Sequence, residues 1–268
     1  MFPFRDNIQA ESFPLVTYAL IVVNALMLFS MLQHDEKDQE RFVVEHGFIP
    51  ARVAQLSNNR PLEIEVEREA PGPFGPVVVQ DTYVLPPDHG AILFTIVSSM
   101  FMHGGIMHLV GNMWFLWLFG DNVEDRLGRV PFVLFYLLGG AAAVLCHWLN
   151  DPASTMPVVG ASGAVSAILG AYLVTWPHAR IRTLIFLGIL VTVVELPAVL
   201  FLGGYFLMQV FSALQPEVVG VGENVAWWAH IGGFVAGAVL MPLMRRPPPE
   251  QRFGEFDRAS TRRLFGDS

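Results

Sequence analysis

Apolar residues occur along the chain in long runs, which charged or Pro- and Gly-rich segments separate. A helix needs about 20 mostly apolar residues to cross the hydrocarbon core of a bilayer. Runs of this kind cover residues 13–32, 107–127, 130–149, 159–176 and 225–244, with a longer stretch at 181–214. The pattern predicts an all-α polytopic membrane protein.

The stretch at 181–214 is longer than one crossing but too short for two crossings with a turn between them. Pro197 divides it, and helices often begin at or just before a proline. The fifth crossing is therefore predicted at 196–214, and 181–194 is expected to be an interfacial or re-entrant segment. The result is a bundle of six transmembrane helices with a long outer loop at about 33–90.

Charged residues between the runs predict the orientation of the bundle. Six crossings with both termini in the cytoplasm would place three arginine pairs on the cytoplasmic side, as the positive-inside rule requires. The pairs are Arg126 and Arg129, Arg180 and Arg182, and Arg245 and Arg246. The predicted organisation is a cytoplasmic segment at 1–12, a membrane domain at 13–246 and a cytoplasmic tail at 247–268.

The outer connection at 33–90 is polar and carries several basic residues, which long loops tolerate on the outer side. Glu and Val alternate around 62–68, and Pro and Gly cluster at 70–76. This pattern predicts a short strand pair or a partly ordered cap within the loop.

Composition agrees with membrane residence. Hydrophobic residues make up 53% of the chain and charged residues only 15%, whereas soluble domains carry about a quarter charged residues. A net charge of -8 offers no basic surface for nucleic acid, so a nucleic-acid partner is excluded. The single cysteine, Cys146, lies in an apolar run and predicts neither an intramolecular disulfide nor a Cys-based metal site. The N-terminus lacks the features of a cleaved signal peptide and is expected to be an uncleaved first span.

Polar side chains inside apolar runs mark candidate chemistry, because burying them in a bilayer is costly. His108 and Asn112 lie near the start of the second predicted span, Ser162 near the start of the fourth and His230 near the start of the sixth. With six crossings, these three helices all run from the outer to the inner side. The four residues are therefore predicted to lie at similar depth in the outer leaflet, provided that one crossing separates Ser162 from His230.

Each motif also has a purely structural explanation. Gly160 and Gly163 could serve close helix packing, or could let a substrate approach Ser162 at a helix N-terminus. His108 and Asn112 lie four positions apart on one helical face, where they could form a polar helix contact or jointly hold an oxyanion.

His230 could likewise form only a helix contact or lie in an interfacial aromatic belt. Gly233 and Gly237, however, form a Gly-x-x-x-Gly face that permits a very close helix approach and could bring His230 to Ser162. Serine is a poor nucleophile unless a base takes its proton. Because no Asp or Glu is predicted at the same depth, a Ser/His dyad is favoured over a triad.

In combination, these motifs resemble the rhomboid family of intramembrane proteases. They are, in the family's order, His108-x-x-x-Asn112, Gly160-x-Ser162-Gly163, and Ala229-His230 with Gly233-x-x-x-Gly237. The resemblance covers about residues 103–244. It implies that Ser162 attacks the scissile carbonyl and that His230 is base and then acid. It further implies an oxyanion hole formed by His108, Asn112 and the Ser162 backbone N–H, with no cofactor and no metal.

Two more segments resemble the family. His103 occupies a position near the active-site mouth, which implies a structural or water-handling role. The segment 123–128 resembles the family's Glu-x-Arg segment, which ties a helix end to its neighbours, although a solvated turn would have a similar sequence. One departure is that Phe94-Thr95 stands where many members carry a Trp-Arg pair.

The resemblance implies a serine-type endopeptidase that cleaves membrane-protein substrates in or near their transmembrane segments, within a lipid bilayer. One alternative is a catalytically silent rhomboid-like protein that binds transmembrane clients. Another is a six-span transporter or channel, for which Glu195 is the one ionisable candidate near a predicted span. The short tails favour a bacterial inner membrane.

Overall fold

The computed structural model describes residues 2–8, 10–72, 75–187, 190–215 and 225–245. The predicted tail at 247–268 lies outside the described residues. The helices are α1 (Leu15–Met31), α2 (Glu36–His46), α3 (Gln55–Asn58), α4 (His89–Ser98), α5 (Ile106–Leu127), α6 (Arg129–Asn150), α7 (Ser162–Thr175), α8 (Ala198–Ala213) and α9 (Trp227–Met244). The strands are β1 (Phe2–Asp6), β2 (Leu62–Gly72), β3 (Gly75–Leu85), β4 (Arg180–Leu187) and β5 (Leu190–Pro197).

Apolar helices occupy all six predicted runs: α1 and α5 to α9. Within the described residues, α6 and α9 are each long and apolar enough to cross a bilayer, and α4 with α5 qualifies only as a pair bent by 79°. The other apolar helices, α1, α7 and α8, have 17 residues or fewer. The chain is mostly helical as predicted, whereas the count of six crossings stays a prediction.

Helices α7 and α9 pack backbone against backbone. A Cβ atom at Gly233 would collide with the carbonyl oxygen of Gly163, and a Cβ atom at Gly237 would collide with that of Ala167. These contacts advance in the same direction along both helices, so the helices run parallel with their first turns side by side. The close approach predicted from the two glycines of α9 is confirmed.

Helix α5 runs parallel to α7. His108, in the first turn of α5, lies against Gly160 just before α7 begins. Phe119, three turns further along α5, contacts Tyr172 near the end of α7, with ring centroids 4.9 Å apart. The first turns of α5, α7 and α9 therefore lie at the same end of the bundle.

Helix α8 runs in the opposite direction. Tyr205 Oη lies 3.2 Å from Ser166 Oγ on α7. One turn later along α8, Gln209 reaches His230, in the first turn of α9. Of the residues that the structure describes between α7 and α9, only those of α8 form a helix, and it runs against both neighbours. This is the arrangement that the predicted convergence of Ser162 and His230 requires.

The all-α prediction is incomplete, because β1, β4 and β5 form an antiparallel sheet in the order β1-β4-β5. Phe2 pairs with Leu184, and Arg182 pairs with Glu195. The segment 181–194, expected to be interfacial or re-entrant, lies in the antiparallel strand pair β4–β5. Its β-branched residues favour strands, and its partner strand comes from the predicted cytoplasmic segment at 1–12.

The end of α5 is tied to the start of α1, as the resemblance of segment 123–128 implies. The buried Glu124 carboxylate accepts hydrogen bonds from Val16 N (3.0 Å), Thr17 N (2.7 Å) and Thr17 Oγ1 (2.8 Å). It thereby satisfies N–H groups that have no partner within the first turn of a helix. Asp125 accepts from the Ser12 hydroxyl at 2.5 Å. These contacts confirm that the segment 123–128 has a structural role and is not merely a solvated turn.

The connection at 33–90 contains the predicted strand pair, as the two-stranded hairpin β2–β3. It also braces the segment that precedes α7. The backbone groups of Phe48 and Val158 exchange hydrogen bonds of 3.1 and 2.8 Å, and Ala51 N donates to Ser154 O at 2.9 Å. The loop thus orders the chain that leads into Ser162.

Candidate active site

Ser162 is the first residue of α7, and a tight turn at Gly160 and Ala161 precedes it. Gly160 has a φ of +128°, which only glycine adopts readily, and its N–H donates to Ser99 O at 2.9 Å. The next N–H, of Ala161, donates to His103 Nε2 at 3.5 Å. His103 is fully buried and therefore supports this turn, a contact that fits the structural role implied for it.

The N-terminus of α7 offers hydrogen-bond donors at Ser162. The first four N–H groups of a helix have no acceptor within the helix, and the first intrahelical bond of α7 is Val165 N to Ala161 O at 2.9 Å. The positive end of the helix dipole reinforces these donors. Negative charge that develops near the Ser162 backbone would be stabilised there.

His108 stands beside Ser162, over the α-carbon of Gly160. A Cβ atom at Gly160 would lie 2.8 Å from His108 Nε2 and 3.5 Å from Ser162 Oγ. A side chain at Gly160 would thus displace the His108 ring, and it would also strain the backbone at this φ angle. The His103 and His108 rings pack edge to face, with their centroids 5.1 Å apart, which orients the His108 ring.

Asn112 lies one turn beyond His108 on α5 and is only 8% exposed. Among the residues that the structure describes, its Nδ2 atom has no hydrogen-bond partner. Buried donors almost always have an acceptor, so an unpaired one at a site is a feature that needs an explanation. An oxyanion that exists only during a reaction would supply the acceptor.

His230 lies in the first turn of α9, directly beside the first turn of α7. The carbonyl oxygen of Ala229, the preceding residue, lies 3.9 Å from where a Cβ atom of Gly163 would stand. His230 Nδ1 lies 2.9 Å from Gln209 Oε1. The structure therefore gathers His108, Ser162 and His230 at one end of the bundle.

Gln209 is the site residue that the sequence analysis missed. Its side chain is 3% exposed, although α8 is otherwise almost entirely apolar. The available signal was the presence of one amide within the apolar run at 196–214, the same signal that marked the other four polar residues.

A cavity of about 650 Å³ opens at the end of the bundle opposite Ser162. Asp6, Thr17, Asp121 and Arg180 are among its lining residues, which lie near the ends of α5 and α7 that are remote from Ser162. This cavity does not belong to the candidate active site. The described residues also contain no cluster of three or more His, Cys, Asp or Glu side chains that could hold a metal ion.

Several known proteins are similar to this chain. Presenilin-associated rhomboid-like protein A, mitochondrial, of Danio rerio is 31% identical over 53% of the chain and 35% of its own length. Rhomboid-like protein 11, chloroplastic, of Arabidopsis thaliana is 29% identical over 58% of the chain and 54% of its own length. Rhomboid protein 1, mitochondrial, of Saccharomyces cerevisiae is 33% identical over 40% of the chain and 32% of its own length. The matches thus span about a third to a half of these relatives.

The names of these relatives place them in mitochondria or chloroplasts, so the prediction of a bacterial inner membrane finds no support among them. The family model for the Rhomboid domain matches residues 91–247, more than half of the chain. This match includes every residue of the candidate active site. The chain is therefore an integral membrane protein that belongs to the rhomboid family.

Proposed function

We propose that the chain is an intramembrane serine endopeptidase in which Ser162 is the nucleophile and His230 the general base. The observation that carries the proposal is the backbone contact between the first turns of α7 and α9, next to both residues. His230 takes the proton of the Ser162 hydroxyl as the oxygen attacks the scissile carbonyl, and then returns a proton to the leaving amine.

Three donors hold the oxyanion in this proposal: the Ser162 N–H at the start of α7, the His108 ring and the Asn112 amide. The unpaired Nδ2 atom of Asn112 and the position of His108 over Gly160 support this assignment. Such donors stabilise the tetrahedral intermediate without any reorganisation at the moment of reaction. Water then attacks the acyl group left on Ser162, with His230 again as base, which releases the second product and restores the serine hydroxyl.

The proposed topology has six crossings, with both termini in the cytoplasm and the Ser162 end in the outer leaflet. Substrate would reach the site laterally past α8, of which only Ala198, Leu202 and Gln209 are buried. The substrate helix must unwind locally, because helical carbonyls are already hydrogen-bonded and shielded. Helix-breaking and small residues near the cleaved bond would lower that cost.

The transporter alternative relied on Glu195 as an ionisable residue near a predicted span. Glu195 lies in β5 and forms ion pairs with Arg182 at 2.9 Å and Arg180 at 4.0 Å. It belongs to the sheet that lies at the opposite end of the bundle from Ser162. Its position supports a role of Glu195 in the sheet rather than on a path past Ser162.

The direct test is incubation of the purified chain in detergent with a single-span membrane protein, followed by mass spectrometry of the products. We expect cleavage in or near the span. Capture of intact substrate without any product would instead indicate a silent client-binding protein. Wild-type chain that neither cleaves nor binds any single-span substrate would contradict both possibilities.

Substitution of Asn112 tests the oxyanion hole. Asn112→Leu keeps the volume of the side chain but removes its donor, so we expect kcat to fall about 10²-fold with little change in KM. Asn150→Leu, at the exposed end of α6, is the matched control and should behave as wild type. A rise in KM at unchanged kcat would place Asn112 in substrate binding and refute this role.

A further inference from the structure

Gln209 is a buried polar residue on an apolar helix. It is 3% exposed, whereas its neighbours Leu207, Met208 and Phe211 are each more than half exposed. A buried amide needs hydrogen-bond partners, and the partner that the structure gives it is His230. The single inward-facing amide of α8 is thus directed at the proposed general base.

The contact with Gln209 favours one of the two neutral tautomers of His230. Gln209 Oε1 lies 2.9 Å from Nδ1, and a carbonyl oxygen can only accept, so the two atoms form a hydrogen bond in the tautomer whose hydrogen is on Nδ1. In a neutral imidazole the lone pair is then on Nε2. This is the tautomer that a base needs when Nε2 faces the nucleophile.

We propose that Gln209 is a positioning residue that fixes the tautomer and ring orientation of His230; this inference rests on the proposed function. The amide performs the orienting task that a carboxylate performs in a Ser-His-Asp triad, without adding a charge to the apolar interior. It acts through His230 and does not contact the substrate. The dyad expected from the sequence is therefore completed by a neutral third residue.

A merely structural role for Gln209 would be to hold α8 against its neighbours. The chain offers a matched control for that role, because Tyr205, one turn earlier on α8, makes a polar contact of 3.2 Å with Ser166 on α7. Tyr205→Phe removes this contact without touching His230. It loosens the same helix while leaving the base in place.

The experiment measures the rate at which a small, water-soluble fluorophosphonate labels Ser162, together with kcat and KM for a single-span substrate. The probe reaches the site from water, so its rate reports activation of the serine and not lateral access. Gln209→Leu removes the acceptor, and Gln209→Glu keeps an acceptor oxygen at the same place. Gln209→Met serves as a second apolar variant if the Leu variant does not fold.

We expect Gln209→Leu to lower both the labelling rate and kcat about 10- to 100-fold, with KM changed less than about twofold. Gln209→Glu should recover most of the lost labelling, and Tyr205→Phe should label at the wild-type rate. Labelling of Gln209→Leu at the wild-type rate would overturn the inference. An equal loss in Tyr205→Phe would also overturn it, because the packing of α8 against its neighbours would then explain the loss of labelling.

Failure of the proposed function has a different signature. If the wild-type chain is not labelled at Ser162, the protease proposal fails and the inference falls with it. If the wild-type chain is labelled, Ser162→Ala is not, and Gln209→Leu is labelled as fast as wild type, the protease proposal survives and only the role of Gln209 is refuted.

Discussion

Replacement of either Ser162 or His230 by alanine is expected to lower kcat for substrate cleavage about 10⁴-fold or more. The serine oxygen is inert without the base, and the base has no other substrate group to act on. The two residues therefore work as one unit, and the double variant should be no slower than either single variant. Rates measured with a fluorogenic single-span substrate in detergent provide the comparison.

Ser166→Ala is the matched control for this prediction. Ser166 lies one turn beyond Ser162 on α7 and is buried, and its hydroxyl contacts Tyr205 and not the first turn of α9. It should retain cleavage. Additive losses in the Ser162 and His230 double variant, or cleavage that persists in both single variants, would show that the two residues do not act together.

A side chain at Gly237 is expected to force α7 and α9 apart. The first side-chain atom of Gly237→Val would collide with the carbonyl oxygen of Ala167, which is backbone and cannot rotate away. Overpacking of this kind costs roughly 1–3 kcal/mol or more, so we expect Tm to fall by roughly 5 °C. Because Ser162 and His230 lie in the first turns of these two helices, separating the helices should also lower cleavage about 10²-fold.

Gly204→Val on α8 is the control for that effect, because a Cβ atom there would have no neighbour within 4 Å. It introduces the same β-branched side chain into a membrane-type helix and should leave Tm and cleavage close to wild type. Equal losses of Tm and cleavage in the two variants would show that replacing a glycine, and not the collision with Ala167, causes the effect. An unchanged Tm in Gly237→Val would show that the helices are not as close as described.

The helices could be predicted because apolar runs are a local property of the sequence. The starting points of α5, α7 and α9 follow from these runs, and they were enough to bring His108, Ser162 and His230 to one end. The length of α7 was overestimated, since the run begins at 159 whereas the helix begins at Ser162. The constrained turn at Gly160, with its positive φ, uses the intervening residues.

The sheet could not be predicted, because its pairing is not local. Phe2 pairs with Leu184, and no pattern within 181–194 indicates a partner so distant in the sequence. An apolar segment with arginines at its start also has the same composition whether it forms a strand pair or a re-entrant segment. The periodicity of apolar residues alone does not separate these possibilities.

The hydrogen bond between Gln209 and His230 also could not be predicted, because it depends on how two helices pack. A glutamine in an apolar run indicates buried polarity, but its partner is decided by which face of α8 meets α9. That face follows from the antiparallel packing of α8, seen in the contact of Phe206 with Phe234 at 4.8 Å between ring centroids. Sequence could identify Gln209 as unusual without identifying His230 as its partner.

The central claim is that the Ser162 hydroxyl is activated by the His230 imidazole. The most direct measurement is peptide mapping of the wild-type chain and of His230→Ala after reaction with a fluorophosphonate. The proposal predicts that the wild-type chain carries the adduct on Ser162 and that the His230→Ala chain carries none at that residue. Labelling of Ser162 at equal rates in both chains, or an adduct on a different serine, would contradict it.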